Sequence, residues 1–551
     1  MLNILKLIGR ILLILLLSCP AWAATVYVKD IGEALPYYES GATSCDDVTI
    51  ADSTGSLQAA LTAAGQDGTL NICPGTYTEA EINTDRGIRT AATGQTIQGT
   101  TGIASDVILS SPMADTAGVP YKAPIAILTS GCTVSHLTLT AGQYRGIYVA
   151  ASNTTLNNVV SHTNGDAGGS YGSGFEFAKT STPLIDNIVC NDCIAYDNEN
   201  YGFMIWSYVT NVTYNRCVAY RNASLDAVHG FSSTPKATTY TTGWVSDGGT
   251  VYHHAHATNS VHIVRNLNPV SVLTENDGAT TSVGAGEWDW AADVLYINVE
   301  ADPEAKNIKV TDDDYGPVAY NDCIAYDNYD SGIIAETGYG GEGHGFAADD
   351  GSYGHTYNRC VSYDNDGAGF SINGGNNNVV QNSISYSNDR AGVYGGYGTE
   401  FIVYNMTIDG NTLDGIELMG GGSLTVNNTI LTNNGDFGID ANVVGAFTEN
   451  YNLFNGNNAD RDDIGTGAES ITGDPLFADA AGGNFELMSQ SPAIDKAVNL
   501  GAAYSEGFNR HDQNGCGAAW DIGAIPYCSG RYLNESIKDL IVPLINGPLR
   551  Q

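Results

Sequence analysis

Asn191–Asn198 reads NDCIAYDN, and the same eight letters return at Asn321–Asn328. A second phrase, NRCV, follows each copy, at Asn215–Val218 and at Asn358–Val361. Aligned on these phrases, the chain yields one column: Leu137, Val159, Cys193, Cys217, Cys323, Cys360, Ser383, Thr407, Thr429 and Asn452. Ordinary steps are 22 to 24 residues, and three are longer, at 34, 106 and 37. The next column is Val160, Ile194, Val218, Ile324, Val361, Ile384, Ile408 and Ile430. A column made only of β-branched aliphatics faces a core in strands stacked in register.

A second marker, Asn-x-x-x-Gly-apolar, recurs at Asn198/Gly202/Phe203, Asn328/Gly332/Ile333, Asn365/Gly369/Phe370, Asn388/Gly392/Val393, Asn411/Gly415/Ile416 and Asn434/Gly438/Ile439. Asparagine tolerates left-handed backbone and glycine takes positive φ freely, so each pair predicts a corner between short strands. Amides of stacked asparagines can bond to one another up the stack. Short strands, tight corners and a period near 23 predict an all-β solenoid, each repeat one coil of a parallel β-helix. At about 4.8 Å per coil, roughly a dozen coils give a rod about 60 Å long. Leucine-rich repeats share the period, but their leucine spacing and helical return are missing. The cysteine column has two placements: opposite the aliphatics, near enough for disulfides between coils, or a buried thiol ladder behind a local bend.

The 551 residues suffice for a large core. Residues 1–23 resemble a bacterial secretory signal: Lys6 and Arg10 precede ILLILLL, and Ala21-Trp22-Ala23 supplies the small residues of a cleavage site. Leu17-Ser18-Cys19 leaves lipoprotein processing as the lesser alternative. The apolar run is too short to span a bilayer, so we expect a secreted protein, extracellular or periplasmic, with no transmembrane segment. Losing Lys6 and Arg10 takes the formal charge from −39 to −41. That is the reverse of a nucleic-acid binder's footprint. The same field repels acidic polysaccharides unless cations or a basic cleft offset it, and it serves equally as a plain solubility device. Ten cysteines follow Cys19. Export permits disulfides, and Cys45–Cys73 and Cys516–Cys528 are the expected pairs, each closing a terminal region. Cys190-x-x-Cys193 has no second pair at zinc-finger spacing.

Residues 24–110 read as an N-terminal cap and first coils, 111–231 and 316–470 as coils, 471–530 as a closing segment and 531–551 as a tail. Ser56–Gly65 predicts the capping helix, with an N-cap serine and a terminating glycine. The 106-residue step holds an inserted β-rich module at 232–315, whose strands alternate apolar with polar residues. There His254 and His256 share a strand face, with His253 opposite. H-x-H can chelate zinc or copper, but no third ligand is evident.

With the GTLNICPGTY phrase, the N-x-C-x-A/S-Y-x-N coils and the closing GDPLF…SPAID…DIGA, the chain resembles secreted right-handed parallel β-helix proteins of the pectate-lyase-like superfamily. The resemblance implies a polysaccharide partner lying along one strand wall. It makes calcium the cofactor to look for, although the residues name none. In calcium-dependent lyases of that family, D-G-F and D-D-G-F-D carry metal carboxylates, and a lysine after G-F acts as base. Here those positions fall on His344-Gly345-Phe346 and on Gly367-Ala368-Gly369-Phe370-Ser371, with Ser371 at the lysine position. The other enlarged coil offers Asn200-Tyr201-Gly202-Phe203-Met204. Gly343-His344-Gly345 and Asp349-Asp350 resemble pieces of polygalacturonase sites in reversed order, without an R-I-K partner. The pectate lyase catalytic set is not matched.

The residue after each Gly-apolar pair should point outward on that wall: Glu176, Met204, Ser232, Ala347, Ser371, Tyr394, Glu417 and Asp440. Enlarged loops enter the same wall and suggest a shaped site beside the insert. Its candidate catalytic residues are His229 and His344, matched before Gly-Phe in two enlarged coils, and Asp349 and Asp350. Each has a plainer alternative: the histidines as corner residues bonded to backbone, the aspartates as turn residues in an acidic chain. Lys179 and Lys236 stand out in a lysine-poor chain, yet lysine tips are ordinarily just solvated. Two functions stay open. One is a lyase-like carbohydrate-active enzyme; the other is a non-catalytic extracellular protein that binds glycans, to which the 32 tyrosines would lend stacking surfaces.

Overall fold

The structure, a computed structural model, describes residues 23–528 apart from 31–34, 50–52, 83–86, 111–122, 166–171, 179–183, 207, 225–228, 234–236, 241–244, 249–250, 256–262, 268–269, 273, 276–286, 292–293, 300–307, 312–316, 331–342, 349–352, 374, 397–398, 420–421, 442–445 and 463. Each coil contributes three short strands, and like strands of successive coils pair in parallel. Val209–Asn215 pairs with Val318–Asn321, and that strand with Thr356–Asn358. Val218–Tyr220, Ile324–Tyr326, Val361–Tyr363 and Ile384–Tyr386 form the second wall. Third strands, among them Phe203–Ile205, His229–Ser233, His344–Ala348, Phe370–Asn373 and Val393–Gly396, form a separate twelve-stranded sheet. This is the expected parallel β-helix.

The first corner decides where the two sequence columns point. Asp192, Arg216, Asp322 and Arg359 all adopt left-handed backbone, with φ of 53–55°. The turn they make sends Cys193, Cys217, Cys323 and Cys360 into the main interior, beside Phe203, Phe231 and Phe346. The cysteines are therefore a buried thiol ladder, each sulfur donating to a backbone carbonyl of the coil before, as Cys323 Sγ does to Tyr214 O at 3.5 Å. The aliphatics point the other way. Val160, Ile194, Val218, Ile324, Val361 and Ile384 line a second core outside the rod, closed by Phe485, Ala524 and Ile525 of the C-terminal segment. The column does face a core, but not the one inside the coils.

Two expectations shift by local detail. Ile384 pairs with Thr407 and Ser385 with Ile408, so Ile408 enters the main interior and Met406, not Thr407, continues the column of Ser383. The left-handed corner residues Asn382 and Asn405 set that register. At the second corner, glycine is needed for space and not for positive φ. A Cβ on Gly230 would lie 2.8 Å from Gly345 O and 2.9 Å from Asn328 Nδ2. The left-handed residues there are Asp197, Arg221, Asp327, Asp364 and Ser387, each just before the ladder asparagine. The asparagines do bond up the stack: Asn198 Nδ2 to Asn222 Oδ1 at 2.9 Å, Asn222 to Asn328 at 3.1 Å, Asn328 to Asn365 at 2.9 Å. The coil of Asn328 continues into Gly345-Phe346; Gly332 and Ile333 lie outside the described residues.

Charge explains why the repeating unit is two coils. Arg216 forks onto Asp192 at 2.7 and 2.8 Å, Arg359 onto Asp322, and Arg221 onto Asp197. NDCIAYDN alternates with NRC-x-x-Y coils, so acid mostly meets base where like charges would otherwise stack about 4.8 Å apart.

The helix Leu57–Ala64 starts on Ser56, whose side chain accepts from Ala59 N, and ends at Gly65 with φ 74°. It buries Leu57, Ala60, Leu61 and Ala64 in the cluster that holds Val26 and Leu70. Cys45–Cys73 and Cys516–Cys528 are bonded as expected. Within the insert, described strands from Ala237–Tyr240 to Ile308–Thr311 form an antiparallel sheet of four strands and a sheet of five that is antiparallel except for one parallel pair, Thr274–Glu275 with Glu287–Ala291. Ser232 and Ser233 belong to the rod. His253 and His254 lie on the strand Val251–Ala255, while His256, the signal-like residues 1–22 and the tail lie outside the described residues. Among the described residues, no helix is long and apolar enough to cross a membrane.

Candidate functional site

The outer face of the third wall carries the expected row in register. Tyr148 pairs with Glu176, Glu176 with Met204, Met204 with Ser232, Ser232 with Ala347, and Ala347 with Ser371. Ser371 pairs with Tyr394, Tyr394 with Glu417, Glu417 with Asp440, and Asp440 with Asp462. The middle of this wall is closed: Met204, Ser232, Ala347 and Ser371 are fully buried.

His229 and His344 stand in adjacent coils with their rings stacked, 5.0 Å between centroids and 16° between planes. His344 N donates to His229 Nδ1 at 3.3 Å, and Ala368 N donates to His344 Nδ1 at 2.8 Å. Both Nδ1 atoms are therefore acceptors, which places the proton on Nε2 in each neutral ring. Burial holds His344 well below the usual imidazole range, with His229 and Arg390 pushing the same way. A ring so placed offers an N–H donor, whereas a base or metal ligand would need a bare nitrogen. Asp349 and Asp350 lie outside the described residues, as do Lys179 and Lys236.

Three coils beyond His344, Glu417 of the expected outward row meets two residues that its sequence pattern did not single out, Arg390 and Asp414. Arg390 lies over the Tyr394 ring at 5.7 Å. Glu417 stands one coil above Tyr394, and its Oε2 is buried without a hydrogen-bond partner. Burial raises the Glu417 carboxyl, Arg390 lowers it and Asp440 raises it further. Asp414 precedes Gly415 as the two histidines precede theirs, and it accepts from Phe437 N at 2.9 Å. Burial, reinforced by Glu417, Asp440 and Asp436, pushes Asp414 up to about 7 against that hydrogen bond. The signal for this cluster was Asp414-Gly415-Ile416-Glu417, the one coil with an acid both before the glycine and after the apolar residue.

The other end of the wall carries the same trio in a closed state. Arg145 lies over Tyr148 at 4.9 Å, and its Nε meets Glu176 Oε2 at 2.6 Å. Among the described residues Arg390 has no such partner, so Arg390 and Glu417 form an open version of a pair the fold also makes closed.

Two further groups are accounted for structurally. His162, Tyr196, Tyr220, Tyr326, Tyr363 and Tyr386 stack face to face at 4.7–5.0 Å. Their neighbours occupy the ring faces, so these tyrosines offer a sugar their edges only. His355 Nε2 meets Ser233 Oγ at 3.1 Å and Nδ1 meets Tyr353 O, both inside the rod, where burial brings the imidazole down to about 4. Among the described residues no three His, Cys, Asp or Glu are grouped to hold a metal ion. The Glu417–Asp440–Asp462 row is spaced along the wall and does not converge on a point.

Residues 322–475 match the family model described as "Right handed beta helix region". No curated protein matches the chain. Among solved structures, pectate lyase Pel9A is similar with a TM-score of 0.45 and 16% identity, over 85% of this chain and 90% of that one. The A-module of Azotobacter vinelandii mannuronan C-5 epimerase AlgE6 gives 0.43 and 15%, over 76% and 93%. The catalytic unit of the GH87 alpha-1,3-glucanase from Streptomyces thermodiastaticus gives 0.35 and 11%, over 76% and 64%.

Proposed function

We propose that the protein acts on a polysaccharide as a lyase-like carbohydrate-active enzyme, with its reacting centre at Arg390, Asp414 and Glu417. The open Arg390–Glu417 pair is the observation that supports this reading. β-Elimination needs a cation facing the carboxylate beside the acidic C–H, a base for that proton and a donor for the leaving oxygen. Arg390, which has no salt-bridge partner among the described residues, supplies the cation. Glu417, its basicity raised by burial, takes the proton as the C–H electrons form the C=C bond and the C–O bond breaks. Asp414, poised near neutrality, returns a proton to the departing oxygen. The described residues supply no calcium cage, and no step here uses one.

This centre lies beyond the enlarged coils where His229, His344, Asp349 and Asp350 mark the rival location. Purified mature protein, with and without calcium, is incubated with uronate and neutral polysaccharides, following unsaturated products by ultraviolet absorbance and new reducing ends by colour. The reading expects Arg390→Ala to lower turnover about a hundredfold and His344→Ala with Asp350→Ala to leave it; the reverse pattern moves the site back to the enlarged coils. The second reading, a non-catalytic glycan binder, draws support from the closed middle of the wall and the backbone-bonded histidines. Retention on a glycan column without turnover would establish it.

A further inference from the structure

We infer that Trp206 is a glycan-stacking platform on the same wall, four coils before the Tyr394 strand of the Arg390 centre. It rests on the reading that a polysaccharide lies along this wall. Trp206 follows the strand Phe203–Ile205, in which Phe203 and Ile205 face the main interior and Met204 faces out; strand alternation turns Trp206 outward too. Its residue is 42% exposed, and its backbone N–H donates to Phe177 O at 2.8 Å. Among the described residues the indole makes no ring contact and no hydrogen bond, unlike the tyrosines of the second wall, whose faces are filled by their neighbours. An open aromatic face with an unused N–H donor matches a pyranose ring, which presents apolar C–H on one side and hydroxyls at its rim.

The surroundings set the kind of sugar contact. Among the described residues, Arg145, a cation of the preceding coils, is already bound to Glu176. An indole carries no charge, so Trp206 reads ring shape and leaves anion recognition to Arg390. Four coils separate the strands of Trp206 and Tyr394, about 19 Å along the rod. A chain has to be several sugars long to touch both, and it passes outside the buried Ser232, Ala347 and Ser371 that lie between them.

The test is chain-length dependence, read by affinity electrophoresis and by turnover on a polysaccharide that passes the panel above and on its trimer. Trp206→Ala should weaken retention of the long chain roughly three- to tenfold, Trp206→Phe should restore part of it, and turnover of the trimer should not change. Unchanged long-chain retention in Trp206→Ala, while the wild type turns the polysaccharide over, overturns the platform and leaves the enzyme reading standing. Trp206-dependent retention without turnover in any variant does the opposite. A wild type that neither retains nor cleaves any glycan overturns both.

Discussion

Arg145 and Arg390 each sit over a tyrosine of their own coil, yet only Arg145 has its glutamate, with Nε 2.6 Å from Glu176 Oε2. In both places the glutamate is one coil above the tyrosine. The closed trio satisfies itself; the open one keeps a cation and a carboxylate available for something else. The two arginines should therefore fail in different ways.

Arg145→Ala strands Glu176, a carboxyl whose range burial already raises. Removing one partner of a mostly buried pair costs about 3 kcal/mol or more, so urea unfolding should show a clear loss of stability. Arg390→Ala breaks no ion pair or side-chain hydrogen bond among the described residues, only a longer-range attraction to Glu417 and the Tyr394 ring contact, so it should cost clearly less stability than Arg145→Ala while lowering turnover about a hundredfold. Equal destabilisation by both substitutions would remove the distinction.

Asp414 gives the sign of a pH effect. Its folded-state range is raised to about 7 from an ordinary 3.8, so the native state holds a proton that the unfolded chain has released. Stability from this group is then lost as pH climbs from about 4 to about 7 and changes no further above that. Asp414→Asn keeps an acceptor for Phe437 N and does not titrate. Its melting temperature relative to wild type should rise across that window and then level off. A flat difference between pH 4 and 8 would show that the carboxyl is not raised.

The thiol ladder predicts silence. Cys132, Cys190, Cys193, Cys217, Cys323 and Cys360 are all buried, and burial pushes the Cys193, Cys217 and Cys323 thiols well above their usual range. A thiol reagent should find none of these six in the native mature protein and all six in denaturant without reductant. Reaction in the native state, or a count below six after unfolding, would mean that sulfurs of neighbouring coils are exposed or bonded.

Asn328 tests the ladder. It accepts from Asn222 N and Nδ2, and its own amide reaches Ala219 O and Asn365 Oδ1. Asn328→Ala leaves buried donors on Asn222 unanswered, at about 1–3 kcal/mol each. Asn328→Asp should cost at least as much, since a carboxylate cannot donate to Ala219 O. A variant as stable as wild type would show that water replaces the amide.

The period and the strand walls were legible because the octapeptides fill equivalent slots two coils apart, and both disulfides because each pair closes a terminal region. The direction of the cysteines was not: alternation carries a side chain's face along a strand, but the left-handed residue at Asp192 or Arg216 resets it. Nor did the aliphatic column reveal that its core is built from Phe485, Ala524 and Ile525, more than 90 residues away in the chain. His229 and His344 attracted notice as isolated ionisable residues, and their partners turned out to be backbone. Asp414 and Glu417 drew less notice because no single coil shows that Arg390, one coil earlier, lacks the partner Arg145 has.

The most direct measurement follows unsaturated product by ultraviolet absorbance, across the polysaccharide panel, for wild type and Glu417→Gln side by side. Absorbance that grows for wild type on at least one uronate chain, and stays at baseline for Glu417→Gln with its fold intact, is the outcome expected here. Matching rates for the two proteins would take the proton-abstracting role away from Glu417 and the open pair with it.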